Sequence, residues 1–351
     1  RYVLQPAAWN TLPEWETESF EQVSVTFARI CERWKTLPPT LPLARTATAI
    51  RAGTIADWRP ACDALPPLTV TDTAALRAYW QTWFNPWTIV SDERPLFTGY
   101  YEIALEGSET PSEIYRYPVH GRPADLVQQG ETWGRKSPDG ALIPYPSRKD
   151  IDGGALQGQA PVLFWLKDKI DLFFLHVQGS GTIALPDGRL ERVGFAARNG
   201  QPYTAIGQVL IERGALNHEN TNLQTIRAWL RENPADADEV MHQNASYIFF
   251  QKRDTLGPIG AMSVPLTARR SMAVDPAIIP YGPPLWLEVD WSQKFPRTFK
   301  TMVFAMDTGA AIRGAVRGDF FWGTGLEAEE AAGRMANPGR YTIFLPKTIQ
   351  P

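Results

Sequence analysis

The sequence predicts an α+β protein, mainly β, with more than one β unit. Three observations carry that prediction. Apolar residues recur at helical spacing through the first ninety residues, strand-like runs begin near Pro95, and strands return from Ser246 after a helical stretch. Along the chain, Phe20, Val23, Phe27, Ile30 and Trp34 give Phe20–Lys35 one apolar face. A second helical segment is expected at Ile55–Ala64. A third runs from Thr71 to Trp83, where Thr71-Asp72-Thr73 supplies capping side chains and Leu76, Tyr79, Trp80 and Trp83 line one face.

After Pro95 the pattern changes. Leu96–Glu102 reads as a strand, and a polar, proline-punctuated region extends from Gly107 to Gln159. Strands are expected at Val162–Leu166, Leu172–Val177 and Leu190–Ala197. Leu185-Pro186-Asp187-Gly188 supplies a hairpin turn between the last two, because Asp-Gly favours that geometry. Helices follow at Ala205–Arg213, stopped by Gly214, and at Leu223–Arg231. The final strands are placed at Tyr247–Gln251, Pro284–Val289, Thr301–Ala305 and Tyr341–Leu345. No internal repeat or low-complexity tract interrupts this order.

Composition narrows the function classes. The 351 residues suffice for two or three domains, and 44% hydrophobic with 21% charged content is that of a folded globular protein. A net charge of −3 leaves no basic footprint, so nucleic acid is not an expected partner. No apolar stretch approaches eighteen residues, so no membrane span is expected. The chain opens Arg1-Tyr2-Val3, as expected of a mature form whose targeting segment has been removed. Thirteen tryptophans must serve chiefly the core, with some available as sugar-stacking platforms. The two cysteines, Cys31 and Cys62, fit equally a disulfide between neighbouring helices or two buried thiols. No cofactor is implied.

The chemistry concentrates between Asp307 and Asp319, two carboxylates separated by three glycines and followed by Phe320, Phe321 and Trp322. An aromatic setting desolvates a carboxyl and raises its pKa, which makes Asp319 a candidate general acid. Asp307 ends an apolar strand before Thr308-Gly309, where spacing alone favours an ordinary turn-forming role over a second catalytic carboxylate. Gln178-Gly179-Ser180-Gly181 allows close backbone approach to a ligand, with Gln178 and Ser180 as hydrogen-bonding groups; a tight turn explains it equally. It is neither a phosphate loop nor a nucleophile elbow. The histidines 120, 176, 218 and 242 show no ligand spacing, so no metal is expected, and His176 reads as a packed residue on an apolar strand. Lys252, Arg253, Arg269 and Arg270 suit either an anionic groove or a solvated surface.

Several segments together resemble the membrane-bound lytic murein transglycosylase A (MltA) family. They are Phe97-Thr98-Gly99-Tyr100-Tyr101-Glu102, Gln178-Gly179-Ser180-Gly181, Asn199-Gly200 with Tyr203 and Ile206-Gly207, Val264-Pro265-Leu266-Thr267 with Arg270-Ser271, Ile279-Pro280 with Gly282, and Asp307 to Gly325. Gly309-Ala310 departs from the family's Gly-Gly. The resemblance implies cleavage of the β-1,4 bond between N-acetylmuramic acid and N-acetylglucosamine without water, leaving a 1,6-anhydro end. It implies that Asp319 acts as acid and then base, with Asp307 in support. Tyr100, Tyr101, Gln178, Ser180, Thr267, Ser271 and Trp322 would contact the glycan strand.

The implied fold is a double-psi β-barrel with N-terminal helices, formed by residues 1–101 and 247–351, carrying residues 102–246 as a smaller inserted β domain. The substrate groove would lie between the two domains. A periplasmic monomer is implied, attached to the outer membrane by a lipid anchor in its full-length form. Two alternatives stand beside this: a conventional peptidoglycan or chitin hydrolase using both aspartates, and a non-catalytic glycan-binding module.

Overall fold

The three N-terminal helices form at Val23–Lys35, Ile55–Asp63 and Thr73–Trp83 in the computed structural model, which describes residues 1–255, 257–290 and 299–351. Their ends follow from local chemistry. Asp72 accepts from the Ala74 N–H, and Thr54 with Asp57 forms a capping box. A disulfide joins Cys31 of the first helix to Cys62 of the second. None of the helices among the described residues is long and apolar enough to cross a membrane.

Two units emerge: Arg1–Ile103 with Thr255–Pro351, and Ala104–Asp254. In the first, nine strands form one mixed sheet in the order Tyr2–Pro6, Phe84–Ser91, Gly339–Pro346, Pro284–Val289, Phe299–Asp307, Ser271–Val274, Arg317–Thr324, Leu96–Glu102 and Ala336–Asn337. Most neighbours are antiparallel, but Ser271–Val274 runs parallel to Phe299–Asp307, and Leu96–Glu102 parallel to Arg317–Thr324. Among the described residues no pairing closes the sheet, so the expected closed barrel is not seen. Trp15, Trp58, Trp80 and Trp286 are fully buried in this unit, with Phe27 stacked on Phe304 at 5.8 Å. Core packing therefore accounts for these four tryptophans.

One ion pair sits inside that core. Arg270 donates to Glu18 at 3.0 Å, and it also reaches the Glu21 and Met302 carbonyls and the Thr301 hydroxyl. Both side chains are almost fully buried. Burial alone would raise the Glu18 pKa, but Arg270 and the N–H groups of Phe20 and Met302 hold it below its ordinary value. Arg270 is thus a structural clamp between the N-terminal segment and the sheet, and neither a groove residue nor a solvated one.

The second unit contains a six-stranded sheet ordered Ile248–Arg253, Leu190–Arg198, Ser180–Ala184, Ala104–Ser108, Val162–Leu166 and Tyr117–His120, with a separate three-stranded sheet. Because Ile248–Arg253 pairs with Leu190–Arg198, the chain leaves this unit at 254/255, not at 246/247. The run Leu172–Val177 is not a strand: it lies in the helix Lys169–Gln178, capped by the Asp168 side chain on the Ile170 and Asp171 N–H groups and ended by Gly179. A short continuous apolar run cannot be assigned by periodicity, since a buried helix and a buried strand look alike. The hairpin forms as expected, but its first strand is Ser180–Ala184. The helix Pro234–His242 escapes the apolar pattern because its sequence is polar; Pro234 at its start is the local signal.

Candidate active site

Asp307 and Asp319 lie on strands that flank Ser271–Val274 on either side. Both pair in register with the same residue, Ala273, so the order across the sheet is Asp307, Ala273, Asp319, Thr98. Residues paired across neighbouring strands point to one face, and the two aspartates are two strand spacings apart, roughly 10 Å between Cα atoms. The short side chain of Ala273 stands between them. The segment Thr308–Val316 thus returns the chain so that its two ends meet one central strand.

Their surroundings differ. Asp307 has both oxygens engaged: Oδ2 accepts from the Tyr100 hydroxyl at 2.9 Å and Oδ1 from the Ala261 N–H at 3.0 Å. Asp319 accepts one hydrogen bond, from the Thr98 hydroxyl to Oδ1 at 2.9 Å; its Oδ2 has no partner among the described residues. Arg317 in turn donates to the Thr98 hydroxyl at 3.0 Å. Burial raises the Asp319 pKa above the usual carboxylate value. The Thr98 hydrogen bond and the Arg317 charge oppose the shift, and the negative charge of Asp307 adds to it. Both carboxylates keep partial solvent contact.

Thr98 and Tyr100 are two residues apart on one strand, so alternation brings both to the face that carries Asp319. This strand supplies one hydroxyl to each aspartate. By the same alternation Tyr101 lies on the other face of its strand. Trp322 also lies opposite Asp319: it packs over Gly99, where an added Cβ would come within 2.5 Å of the indole nitrogen and 2.9 Å of Ala332. The expected role of Trp322 as a glycan contact beside Asp319 is therefore not supported. Phe320 turns inward with it, their rings 4.8 Å apart, whereas Phe321 lies 5.2 Å from the Tyr100 ring.

Two other expected glycan contacts are structural. Ser271 has no exposed surface; its hydroxyl accepts from the Thr267 N–H and donates to the Met306 sulfur. The Thr267 hydroxyl receives Thr26 at 3.0 Å and Arg29 at 3.1 Å, which ties this loop to the first helix. Gln178 and Ser180 belong to the second unit, exposed where the helix Lys169–Gln178 gives way to the next strand. His176 lies on that helix and is buried, as a packed residue.

Thr98, Arg317 and the Ala261 N–H are site groups that sequence reasoning missed. Arg317 stands two positions before Asp319, and Thr98 two before Tyr100, so alternation was an available signal for both. No local signal points to Ala261.

Gly318 explains how Asp319 can be seated over a packed core. A Cβ there would stand 1.8 Å from the hydroxyl oxygen of the fully buried Tyr341 and 2.4 Å from Met272. We expect Gly318→Ala to cost about 1–3 kcal/mol through overpacking. Urea unfolding measures this, and an unchanged midpoint would refute the close-approach argument.

Comparison with known proteins adds the following. Residues 96–251 match the MltA specific insert domain, and residues 270–345 match the 3D domain. Membrane-bound lytic murein transglycosylase A of Escherichia coli (strain K12) is 34% identical over 254 residues, covering 71% of this chain and 65% of the relative. Its Vibrio cholerae counterpart is 32% identical, covering 70% and 64%. The match thus spans just under two thirds of the length of these curated relatives. Among solved structures, MltA from Neisseria gonorrhoeae in a monoclinic form superposes with a TM-score of 0.69 at 30% identity, covering all of this chain and 94% of that one. A lytic transglycosylase of Burkholderia pseudomallei gives 0.56 at 35% identity, covering 98% and 95%.

Proposed function

The chain belongs to the MltA family, and from that premise we propose that it is a lytic transglycosylase acting on peptidoglycan glycan strands. The supporting observation is the unequal environment of the two aspartates. Asp307, with both oxygens engaged, is suited to orienting and charge support. Asp319, with a raised pKa and one open oxygen, is suited to carrying a proton and then returning as a base.

In the proposed reaction Asp319 protonates the glycosidic O4 as the C1–O4 bond between N-acetylmuramic acid and N-acetylglucosamine breaks. The C6 hydroxyl oxygen of the same muramoyl residue then bonds to C1, and the Asp319 carboxylate takes its proton. Atoms balance without water, the product is a 1,6-anhydro end, and Asp319 finishes protonated as it began. The Asp307 charge favours the developing positive charge at C1 and keeps the proton affinity of Asp319 high. Thr98, held by Arg317, orients the Asp319 oxygen it touches. Tyr100 does the same for Asp307. Gln178 and Ser180 remain candidates for glycan contact because their side chains are exposed. The relatives are named as membrane-bound murein enzymes, which supports an envelope location, and we propose a periplasmic enzyme attached to the outer membrane.

Mass analysis of digested murein tests the reaction. Muropeptide ends lighter by one water than hydrolysis products are expected. Products that carry the added water would mean a hydrolase using both aspartates, and binding of strands without any cleavage would mean a glycan-binding module.

A further inference from the structure

We propose that the second unit, Ala104–Asp254, holds a separate binding site for a short peptide bearing free carboxylates, in a cavity of about 590 Å³ lined by Arg148. Arg148 is only 4% exposed. Its guanidinium lies over the rings of Phe173 and Tyr247, with the central carbon 4.8 and 5.3 Å from their centroids. Three of its five N–H groups are used: one to the Asn244 carbonyl at 2.9 Å, one to the Ser246 carbonyl at 2.5 Å and one to Nδ1 of His176 at 2.8 Å.

All three partners are neutral. His176 is fully enclosed, and burial first, then the Arg148 charge, hold its pKa well below the usual value. Among the described residues no carboxylate bonds to Arg148. The nearby carboxylate whose charge favours the guanidinium, Asp152, is itself bonded to His242, so Arg148 has no directly bonded counter-ion, an unfavourable state for a buried cation.

The cavity rim points the same way. Its two acidic groups are occupied, Asp152 by His242 at 2.8 Å and Asp238 by Lys169 at 2.6 Å. Arg116 and Lys149 are exposed and form no ion pair among the described residues. Three cations thus line the cavity without a directly bonded carboxylate among the described residues. Between them the wall is apolar, with Leu172, Phe173 and Met241. The volume lies in the range of small-ligand sites. Cations set in an apolar wall suit the carboxylates and aliphatic parts of a peptide better than the neutral hydroxyls of a sugar.

The identity of that peptide rests on the function proposed above, since murein glycan strands carry short peptides rich in free carboxylates. Binding itself can be tested without cleavage. The probe is the sugar-free tripeptide Ala-γ-D-Glu-diaminopimelate, titrated calorimetrically into the full chain, beside the same tripeptide with its carboxylates amidated. Wild type should bind the acid form at least about tenfold more tightly than the amide, and Lys149→Glu should weaken the acid form by about tenfold. Arg148→Met should abolish binding with the far-ultraviolet circular dichroism unchanged. If that variant unfolds, the amide and Lys149→Glu comparisons decide. Absence of binding at millimolar tripeptide, or equal binding of acid and amide forms, overturns the proposal. If the tripeptide binds as expected while no glycan is cleaved, the peptide site stands and the transglycosylase reading falls.

Discussion

Asp319→Asn should abolish glycan cleavage, with a loss of about 10²–10⁴-fold as expected for removing a general acid–base group. The large end of that range is expected, because one side chain would carry both proton transfers. The amide keeps the shape and can still accept the Thr98 hydrogen bond, so a loss of activity is not a loss of fold. Stability provides the control. The Asp319 pKa is raised in the folded protein. Its protonated form therefore favours the fold, an effect fully present below the unfolded carboxyl value and lost as pH rises through the folded value. At neutral pH the carboxylate opposes folding, and Asp319→Asn should melt no lower than wild type. Activity should also fall as pH rises through that folded value, because the acid must begin protonated. Asp307→Asn should cause a smaller loss and move the alkaline limb to lower pH, since the charge that helps raise the Asp319 pKa is gone. Wild-type rates in Asp319→Asn, or an unmoved limb in Asp307→Asn, would sink the division of labour.

Arg270→Met should have the largest effect on stability, about 3–5 kcal/mol, because it strands the buried Glu18 carboxylate without its partner. The pH dependence identifies the cause. Glu18 has a depressed pKa, so its contribution is present above the unfolded carboxyl value and lost as pH falls through the folded value. Without Arg270, burial is no longer opposed by the guanidinium, and Glu18 should protonate more readily. The stability gap between wild type and variant should therefore be widest near neutral pH and shrink in acid. Chemical denaturation across pH 3–7 checks this. A gap under about 1 kcal/mol, the level of an exposed pair, would mean that the clamp is unimportant. The change should also lower activity, because Arg270 adjoins the strand carrying Ala273 and bonds the Met302 carbonyl on the Asp307 strand.

Much of the helical framework was legible, because apolar spacing and caps are local. Phe27, Ile30 and Trp34 mark a buried face by themselves, and Asp72 marks a helix start. The errors share a cause. Leu172–Val177 is a short, nearly continuous apolar run, and its pattern alone does not separate a buried helix from a buried strand. Short strands such as Ser271–Val274 are stabilised by neighbours distant in sequence, so no local pattern announces them.

The candidate site divides in the same way. Asp307, Asp319 and Tyr100 could be named from residue type, glycine spacing and family resemblance. Their unequal surroundings could not, because those depend on register: Ala273 pairing with both aspartates, Thr98 facing one, and Tyr100 reaching the other. That Ser271 and Thr267 bond to buried partners and Trp322 packs over Gly99 was hidden for a related reason, since a motif does not record whether a residue meets ligand or core.

By itself the sequence determined the family, the three N-terminal helices and the two carboxylates, because side-chain chemistry and short-range periodicity are written in residue order. The tertiary structure alone decided what holds each carboxylate: Thr98 on one oxygen of Asp319, and Tyr100 with the Ala261 N–H on both oxygens of Asp307. Desolvation and hydrogen bonding act between groups as far apart in the chain as Thr98 and Asp319, and only folding brings them within reach.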